Sequence, residues 1–346
     1  LKMVECCSVL LCAASSAGDS VVDLLEAVEP KSYEHQAGGT IGLSSPDDYH
    51  VCKPCGEREL LFYRNLPAPL FPFVPAFCGY ADASASVAVD GASLSVPAAE
   101  RRACSFCRHS PPERRRALAA HTRRICDAPL PFPHRASPDA LRRLQKARNL
   151  IVLQNLAAHC ARPCVLDLKL GRRQHGDWAA PEKRATQLKR CAQSTSVTLG
   201  VRLCGMRVYD ESLGVYAVMD KYAGREMSAA ELRGSVRRFL LGSSGQHRLA
   251  LCTQVLSKID QLIAALERCE GLRLFGTSLL IVFDGAGDAD IMAGTSHVEV
   301  CLVDFANATF PGLFEGDVVY NGADDGCLLG LSTLRSFIHS FISQSA

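Results

Sequence analysis

The chain has 346 residues, 48% of them hydrophobic, with a formal net charge of +2 and 17 cysteines. That much apolar material excludes a mainly disordered protein, and near-neutrality excludes polyanion binding by bulk charge, so any such affinity must come from local clusters of Lys and Arg. The odd number of cysteines, scattered through apolar runs at Cys160, Cys164, Cys191, Cys204, Cys252 and Cys301, points to reduced, buried thiols in a cytoplasmic or nuclear protein rather than a disulfide framework.

Near the start, Val9–Ala14 is an apolar run far short of the ~18 residues a membrane span needs, so neither a span nor a signal peptide is expected. A helix is expected around Val21–Val28. Short strands and turns fill Tyr33–Pro54, with a turn at His35–Thr40 that contains Gly38 and Gly39, and a strand through His50–Lys53 that ends before Pro54. Glu57–Asn65 follows as a helix with Leu60, Leu61 and Tyr63 on its apolar side. Residues 81–140, dominated by Ala, Ser, Pro and Arg and carrying Arg114-Arg115-Arg116, read as a long disordered insertion within a domain. A helix at Leu141–Arg148 and a strand at Leu150–Leu153 come next. Cys164–Leu170 reads as a strand, Glu182–Cys191 as a helix, and Val201–Tyr209 with Val215–Asp220 as a hairpin-like pair. Helices are expected at Ala229–Leu241 and Leu249–Cys269, the second with Leu251, Val255, Ile259, Leu262, Ile263 and Leu266 as its core face. Strands Leu279–Asp284 and Val298–Phe305 flank a Gly/Asp loop, and Leu328–Ile342 closes the chain as a helix. The order is no regular βαβ alternation, which makes the fold class α+β.

On the Cys164–Leu170 strand, alternation places Leu166, Leu168 and Leu170 on one face and Val165, Asp167 and Lys169 on the other. A carboxylate and an ammonium therefore share a side of a leucine-backed strand that ends at Gly171. Arg172, Arg173, His175, Lys183, Arg184, Lys189 and Arg190 crowd the next twenty positions, against only Asp177 and Glu182. Lys183, Gln187 and Arg190 fall on one helical stripe. Such a basic stripe suits a small, densely anionic substrate, with Arg as a bidentate phosphate ligand and Lys as a point charge. A surface ion pair and a solvated basic face are the plainer readings.

The pattern Pro163-x-x-x-Asp167-x-Lys169-x-Gly171 resembles the signature of the inositol polyphosphate kinase family, and the surrounding text is most similar to its inositol hexakisphosphate kinase branch. The similarity runs through Glu182-Lys183, Gln193–Ser196, Gly205–Tyr209, Lys221–Arg225, Ser278–Leu280, Val303–Ala306 and Gly326–Leu331, and also covers residues 34–79. It implies a two-lobed α+β fold like that of protein kinases and ATP-grasp enzymes: an extension over residues 1–32, an N-lobe over 33–150 holding the insertion, and a C-lobe over 151–346. ATP would lie between the lobes. The implied activity is ATP- and Mg2+-dependent phosphorylation of inositol phosphates, with inositol hexakisphosphate the first candidate and ring-hydroxyl phosphorylation, as by multikinases or trisphosphate kinases, the alternative.

The resemblance assigns Lys53 to the ATP phosphates with Glu59 as its partner, and places Gly38-Gly39 in the loop over the phosphates. Gln154, Asn155 and Leu156 fall at the adenine-gripping hinge, Gln154 standing where an acid is usual; its carboxamide oxygen still accepts a hydrogen bond. Asp167 matches the ribose ligand, Lys169 the residue at the transferring phosphoryl group and substrate. Asp304 matches the metal-binding residue, with Ser278 a candidate support. Arg172, Arg173, His175, Lys183, Thr186, Gln187, Arg190 and Asn307 are the substrate-side candidates. Asn307 replaces a His common in the family, Thr186 an amide, Cys327 an aromatic and Trp178 a second acid, the marks of a divergent member.

Three other readings compete. Cys52-x-x-Cys55 and Cys104-x-x-Cys107 resemble zinc pairs, but a gap of roughly fifty residues is wide for a compact ribbon. The departures at positions 154, 307 and 327 would suit a non-catalytic inositol-phosphate scaffold, against which stand Lys53, Asp167, Lys169 and Asp304. The Arg114–Arg116 run lacks interleaved aromatics, so no specific nucleic-acid partner is expected. The expected state is a monomer.

Overall fold

The computed structural model describes residues 31–37, 43–82, 104, 107, 118, 149–242, 248–286 and 297–345. The expected helices at Val21–Val28 and Leu141–Arg148, the Gly38-Gly39 turn and most of the insertion lie outside these residues.

Two five-stranded antiparallel sheets organise the chain. The first holds β1 (Lys31–Ser32), β2 (Ser44–Asp47), β3 (His50–Cys55), β4 (Phe77–Asp82) and β5 (Asn149–Gln154) in the order β1-β2-β3-β5-β4. Helix α1 (Glu57–Arg64) follows β3. The second sheet, ordered β11-β10-β6-β7-β8, holds β6 (Pro163–Leu170), β7 (Val201–Asp210), β8 (Val215–Met219), β10 (Ser278–Asp284) and β11 (Val298–Val303). A small third sheet pairs β9 (Arg273–Leu274) with β12 (Ala308–Thr309). The helices of this half are α2 (Pro181–Ala192), α3 (Ser196–Leu199), α4 (Lys221–Glu226), α5 (Ala229–Leu241), α6 (Leu249–Glu267) and α7 (Asp325–Ser345). The fold is α+β, as the irregular element order implies.

β3 runs two residues further than expected, through Pro54 to Cys55. Its pairing with β2 ends at Cys52. From Lys53 onward only β5 flanks it, and an edge is where a missing N–H is tolerated. The insertion reading needs a correction at three positions: Cys104, Cys107 and Leu118 are buried in one cluster with Cys52, Cys78, Leu150 and Val152.

Leu166, Leu168 and Leu170 of β6 enter the main core while Val165 packs with Ala157 and Val282 on the other face, so the period of two holds. That core is continuous across both sheets, joining Phe77, Ile151 and Leu153 to β6, β10 and α6 through Phe62, Tyr63 and Phe305. Among the described helices only α6 is long and apolar enough to cross a membrane. Its stripe of Leu251, Val255, Ile259, Leu262 and Leu266 is buried, facing α7 and β11. The single crossing from β5 to β6 joins the sheets.

Candidate active site

β3 and α1 deliver two groups from the first sheet, and β6 and the end of β11 deliver two from the second. Lys53 Nζ donates to Glu59 Oε1 at 2.6 Å and to Asp304 Oδ1 at 2.5 Å. Lys169 Nζ donates to Asp304 Oδ2 at 2.8 Å and to the Gly276 carbonyl at 2.6 Å. One carboxylate thus sits between two ammonium groups drawn from different sheets.

Local backbone explains the placement of Asp304. β11 stops at Val303, and Asp304 takes a left-handed conformation, φ 68°, among the described residues the only non-glycine to do so. That conformation costs an L-residue energy and persists where the surroundings hold it. Here Phe305 is the anchor: its N–H donates to Glu59 Oε1 at 3.2 Å, and its ring stacks on Phe62 at 4.4 Å and meets Tyr63 edge-on at 5.1 Å. Glu59 therefore holds both Lys53 and the backbone beside Asp304.

Burial by itself would raise the Asp304 carboxyl, but Lys169 and Lys53 outweigh it and hold the group well below the usual carboxylate range. Burial would likewise lower both lysines. Asp304 and Glu59 raise Lys53 instead, and Asp304, with smaller help from Cys204 and Asp167, raises Lys169. All three are charged at neutral pH. The Asp304 side chain is 34% exposed against 14% for each lysine, so the carboxylate is the member open to an incoming ligand.

Asp167 is buried on the same face of β6, and its Oδ1 has no hydrogen-bond partner. Burial pushes its carboxyl up, opposed chiefly by Lys169 and reinforced by Asp304. Ser278 opens β10 directly across from Lys169, and its buried hydroxyl lies close enough to Asp167 to oppose the upward shift of that carboxyl. The sequence reading missed Arg202. It pairs across from Lys169 on β7, is 6% exposed, and has Nε and Nη1 unpartnered. Burial lowers its guanidinium from the usual value. Only the β6–β7 register reveals it, and a bulge between Asp167 and Leu168 makes that register unreadable from spacing.

The crossover is tightly held. Asn155 Oδ1 accepts from the Tyr33 hydroxyl and the Ala157 N–H, both at 3.0 Å, and its Nδ2 donates to the Asp48 carbonyl at 2.7 Å. Gln154 pairs with Ala76 through its backbone N–H at 2.9 Å, while its Oε1 accepts only a long 3.4 Å bond from the Ala76 N–H. Leu156 packs partly buried against the Ala157, Val165 and Val282 cluster.

The substrate-side candidates divide. Asn307 lies by the lysine cluster: a Cβ at Gly276, whose carbonyl accepts a hydrogen bond from Lys169, would stand 3.3 Å from Asn307 Nδ2. Lys183, Gln187 and Arg190 are the half-buried stripe of α2, whose other residues are exposed apart from buried Cys191, and Arg172 is exposed. Thr186 spends its hydroxyl on the Glu182 carbonyl at 2.8 Å. Arg173 and His175 are not presented as phosphate ligands. The guanidinium of Arg173 bonds Asp177 (2.5 Å), the Tyr320 hydroxyl (3.2 Å) and the His175 carbonyl (2.9 Å) and covers the Phe275 ring at 4.1 Å; His175 is buried beneath it. Asp177 thus neutralises Arg173 locally. Trp178 lies against Arg58, whose guanidinium is 3.4 Å from its ring centre and 4.1 Å from that of Phe314 while it grips Asp317 at 2.5 and 2.8 Å. Cys327 is a core residue, 1% exposed.

Two lysines bracketing a half-open carboxylate where two antiparallel sheets meet are the equipment of phosphoryl transfer, which asks for positioned cations and a metal-binding acid. The inositol polyphosphate kinase family model matches residues 150–339. The chain is 30% identical to inositol hexakisphosphate kinase 1 of Mus musculus over 96% of each protein. It is 35% identical to inositol hexakisphosphate kinase 2 of Mus musculus over 61% of this chain and 54% of that one. Its fold is similar to that of the inositol phosphate multikinase Ipk2 from S. cerevisiae, solved in complex with ADP and Mn2+, at a TM-score of 0.56 and 19% identity over 85% of this chain and 99% of that one. The chain belongs to the inositol polyphosphate kinase family, and it is an enzyme of that class.

Proposed function

We propose that the chain transfers the γ-phosphoryl group of Mg–ATP to a phosphate of inositol hexakisphosphate, forming an inositol pyrophosphate. The carrying observation is that Asn307, beside Gly276 and the lysine cluster, carries a carboxamide that does not titrate where the family commonly has a His. An ionised acceptor phosphate needs no deprotonation, whereas a ring hydroxyl needs a base.

In this reading Lys53 and Lys169 release Asp304 and turn to the nucleotide phosphates. Asp167 offers its unpartnered Oδ1 to the ribose hydroxyls, and Gln154 and Leu156 border the adenine. A partly exposed carboxylate, with the Ser278 hydroxyl on the neighbouring strand, fits a hard, oxygen-seeking cation that completes its shell from water and phosphate. Asp304 and Ser278 would hold Mg2+, which supplies neutralisation of the charge on the β- and γ-phosphates. An oxygen of the acceptor phosphate forms the new bond to the γ-phosphorus as the bond to the β-bridging oxygen breaks, and ADP leaves with that electron pair. Arg172, Lys183, Gln187, Arg190 and the internal guanidinium of Arg202 are the remaining anion contacts, and the enzyme works as a monomer. A cytoplasmic or nuclear setting is favoured by the cysteines, since the thirteen described ones are unbridged thiols.

Product analysis with inositol tris-, tetrakis-, pentakis- and hexakisphosphate under Mg–ATP tests this. Pyrophosphate formation from the hexakisphosphate should be fastest. Faster phosphorylation of inositol trisphosphate hydroxyls overturns the substrate assignment, and ATP turnover with none of them makes the chain a scaffold.

A further inference from the structure

Away from the lysine cluster, four potential metal ligands converge inside the first sheet. His50 opens β3, Cys78 sits in β4, and Cys104 and Cys107 come from the segment between β4 and β5. Their ligand atoms all lie within 4.8 Å of one another, and all four residues are buried. We propose that His50, Cys78, Cys104 and Cys107 form a structural zinc site.

The geometry is that of a closed tetrahedral set. Zn–S bonds of about 2.3 Å and a Zn–N bond of about 2.0–2.1 Å place ligand atoms roughly 3.5–3.8 Å apart around a common centre. His50 Nε2 lies 3.1 Å from Cys107 Sγ and 3.4 Å from Cys104 Sγ, slightly inside that spacing, with the remaining pairs below 4.8 Å. Three thiolates with one imidazole select Zn2+ over Mg2+ or Ca2+, which prefer oxygen. Four protein ligands leave no open position, so the site is structural.

The supporting contacts point the same way. Asp47 takes the other ring nitrogen of His50, Nδ1, at 2.8 and 2.9 Å, which fixes the tautomer and turns the Nε2 lone pair toward the sulfurs, as metal-bound histidines require. The Cys107 N–H donates to Cys104 Sγ at 3.4 Å, a bond that favours sulfur as thiolate. A register shift in the β4–β5 ladder between Phe77 and Gly79 falls at Cys78, and such bulges re-aim side chains. Cysteines buried merely as small hydrophobes need neither an imidazole at their centre nor a carboxylate behind it.

The pairing differs from what CxxC spacing suggests. Cys52 and Cys55 are three apart on β3 and fall into different clusters on opposite faces of the sheet. Cys104-x-x-Cys107 is the pair used, and its companions are a histidine and a cysteine from two strands that both flank β5. Zinc would thereby fasten the segment between β4 and β5 to the start of β3, three residues before Lys53.

The test is the metal content of the chain purified without chelators, by inductively coupled plasma mass spectrometry. One zinc per chain is expected, falling below about a tenth in Cys78→Ser and in Cys104→Ser and unchanged in Cys160→Ser. Asp47→Asn should weaken zinc about 10–100-fold. Because the cysteine variants also perturb a buried cluster, the wild-type chain is exchanged with Co2+: an intense thiolate-to-cobalt charge-transfer band supports the site, and the all-oxygen environment of Asp304 cannot produce one. A wild-type chain with neither zinc nor that band, a chain two hydrogens lighter through a Cys104–Cys107 disulfide, or full zinc retained by the Cys78 and Cys104 variants overturns the proposal.

Discussion

Asp304 combines a strained backbone with a doubly paired carboxylate, and substitutions there separate the two. Asn tolerates the left-handed region and Ala does not. Asp304→Asn should abolish turnover while lowering stability by about 1–3 kcal/mol, less than a fully buried pair because the carboxylate is partly solvated. Asp304→Ala should cost about 1 kcal/mol more, both read by urea unfolding. The pH dependence follows from the directions of the shifts. The depressed Asp304 carboxyl contributes stability above the ordinary carboxylate value of about 4, which is lost as pH falls through its lower folded value. The raised lysines contribute below their ordinary value of about 10.4, and lose it as pH rises past their higher folded values. The stability gap between wild type and Asp304→Asn should thus stay level from about pH 5 to 9, narrow below about pH 4, and narrow again above the lysines' ordinary value of about 10.4. The residues of this cluster were legible because strand parity put Asp167 with Lys169 and the motif order gave Lys53, Glu59 and Asp304. Arg202 was not, because strand register is a tertiary fact. The pairing of Arg173 with Asp177 was not legible from the basic run either, because it depends on how the loop after β6 turns back on itself.

At the scale of elements, glycines mark where backbones meet. A Cβ at Gly330 of α7 would stand 2.3 Å from the Gly200 carbonyl oxygen, so helix and turn touch through the missing side chain. Gly234, inside α5, faces open space. Gly330→Ala should therefore destabilise by about 1–3 kcal/mol, and Gly234→Ala should stabilise by about 0.5–1 kcal/mol through helix propensity. Equal effects in thermal unfolding would show that the α7–α3 contact yields to a methyl group. Most elements were legible from periodicity, since α5, α6, α7 and the second-sheet strands carry strong apolar patterns. α3 and α4 were missed because four- and six-residue helices have no room for a period. The zinc ligands were half legible: Cys104-x-x-Cys107 stands out, whereas His50 and Cys78 join it only because β3 and β4 both flank β5.

In the whole molecule, the two sheets meet through a charge-balanced knot, Lys53 and Lys169 against Glu59 and Asp304. That balance has a thermodynamic corollary for ligand binding. On the proposed assignments, a divalent cation alone would have to take Asp304 from both lysines and leave two ammonium groups without that partner. A nucleotide alone would have to take the lysines and leave a bare carboxylate beside its phosphates. Each ligand relieves the penalty of the other, so their binding should be positively cooperative and, by linkage, reciprocal: the factor by which Mn2+ tightens ADP must equal the factor by which ADP tightens Mn2+. Calorimetric titrations in both orders would measure it, with about 5–150-fold expected. In thermal unfolding the mixture at about a hundred times its Kd should add about 2.7 kcal/mol, a rise of a few °C, while either ligand alone at that concentration adds much less. Independent binding would mean that the knot does not resist either ligand. If the coupling holds, the empty enzyme is tuned to ignore free metal and free nucleotide and to answer only to the pair.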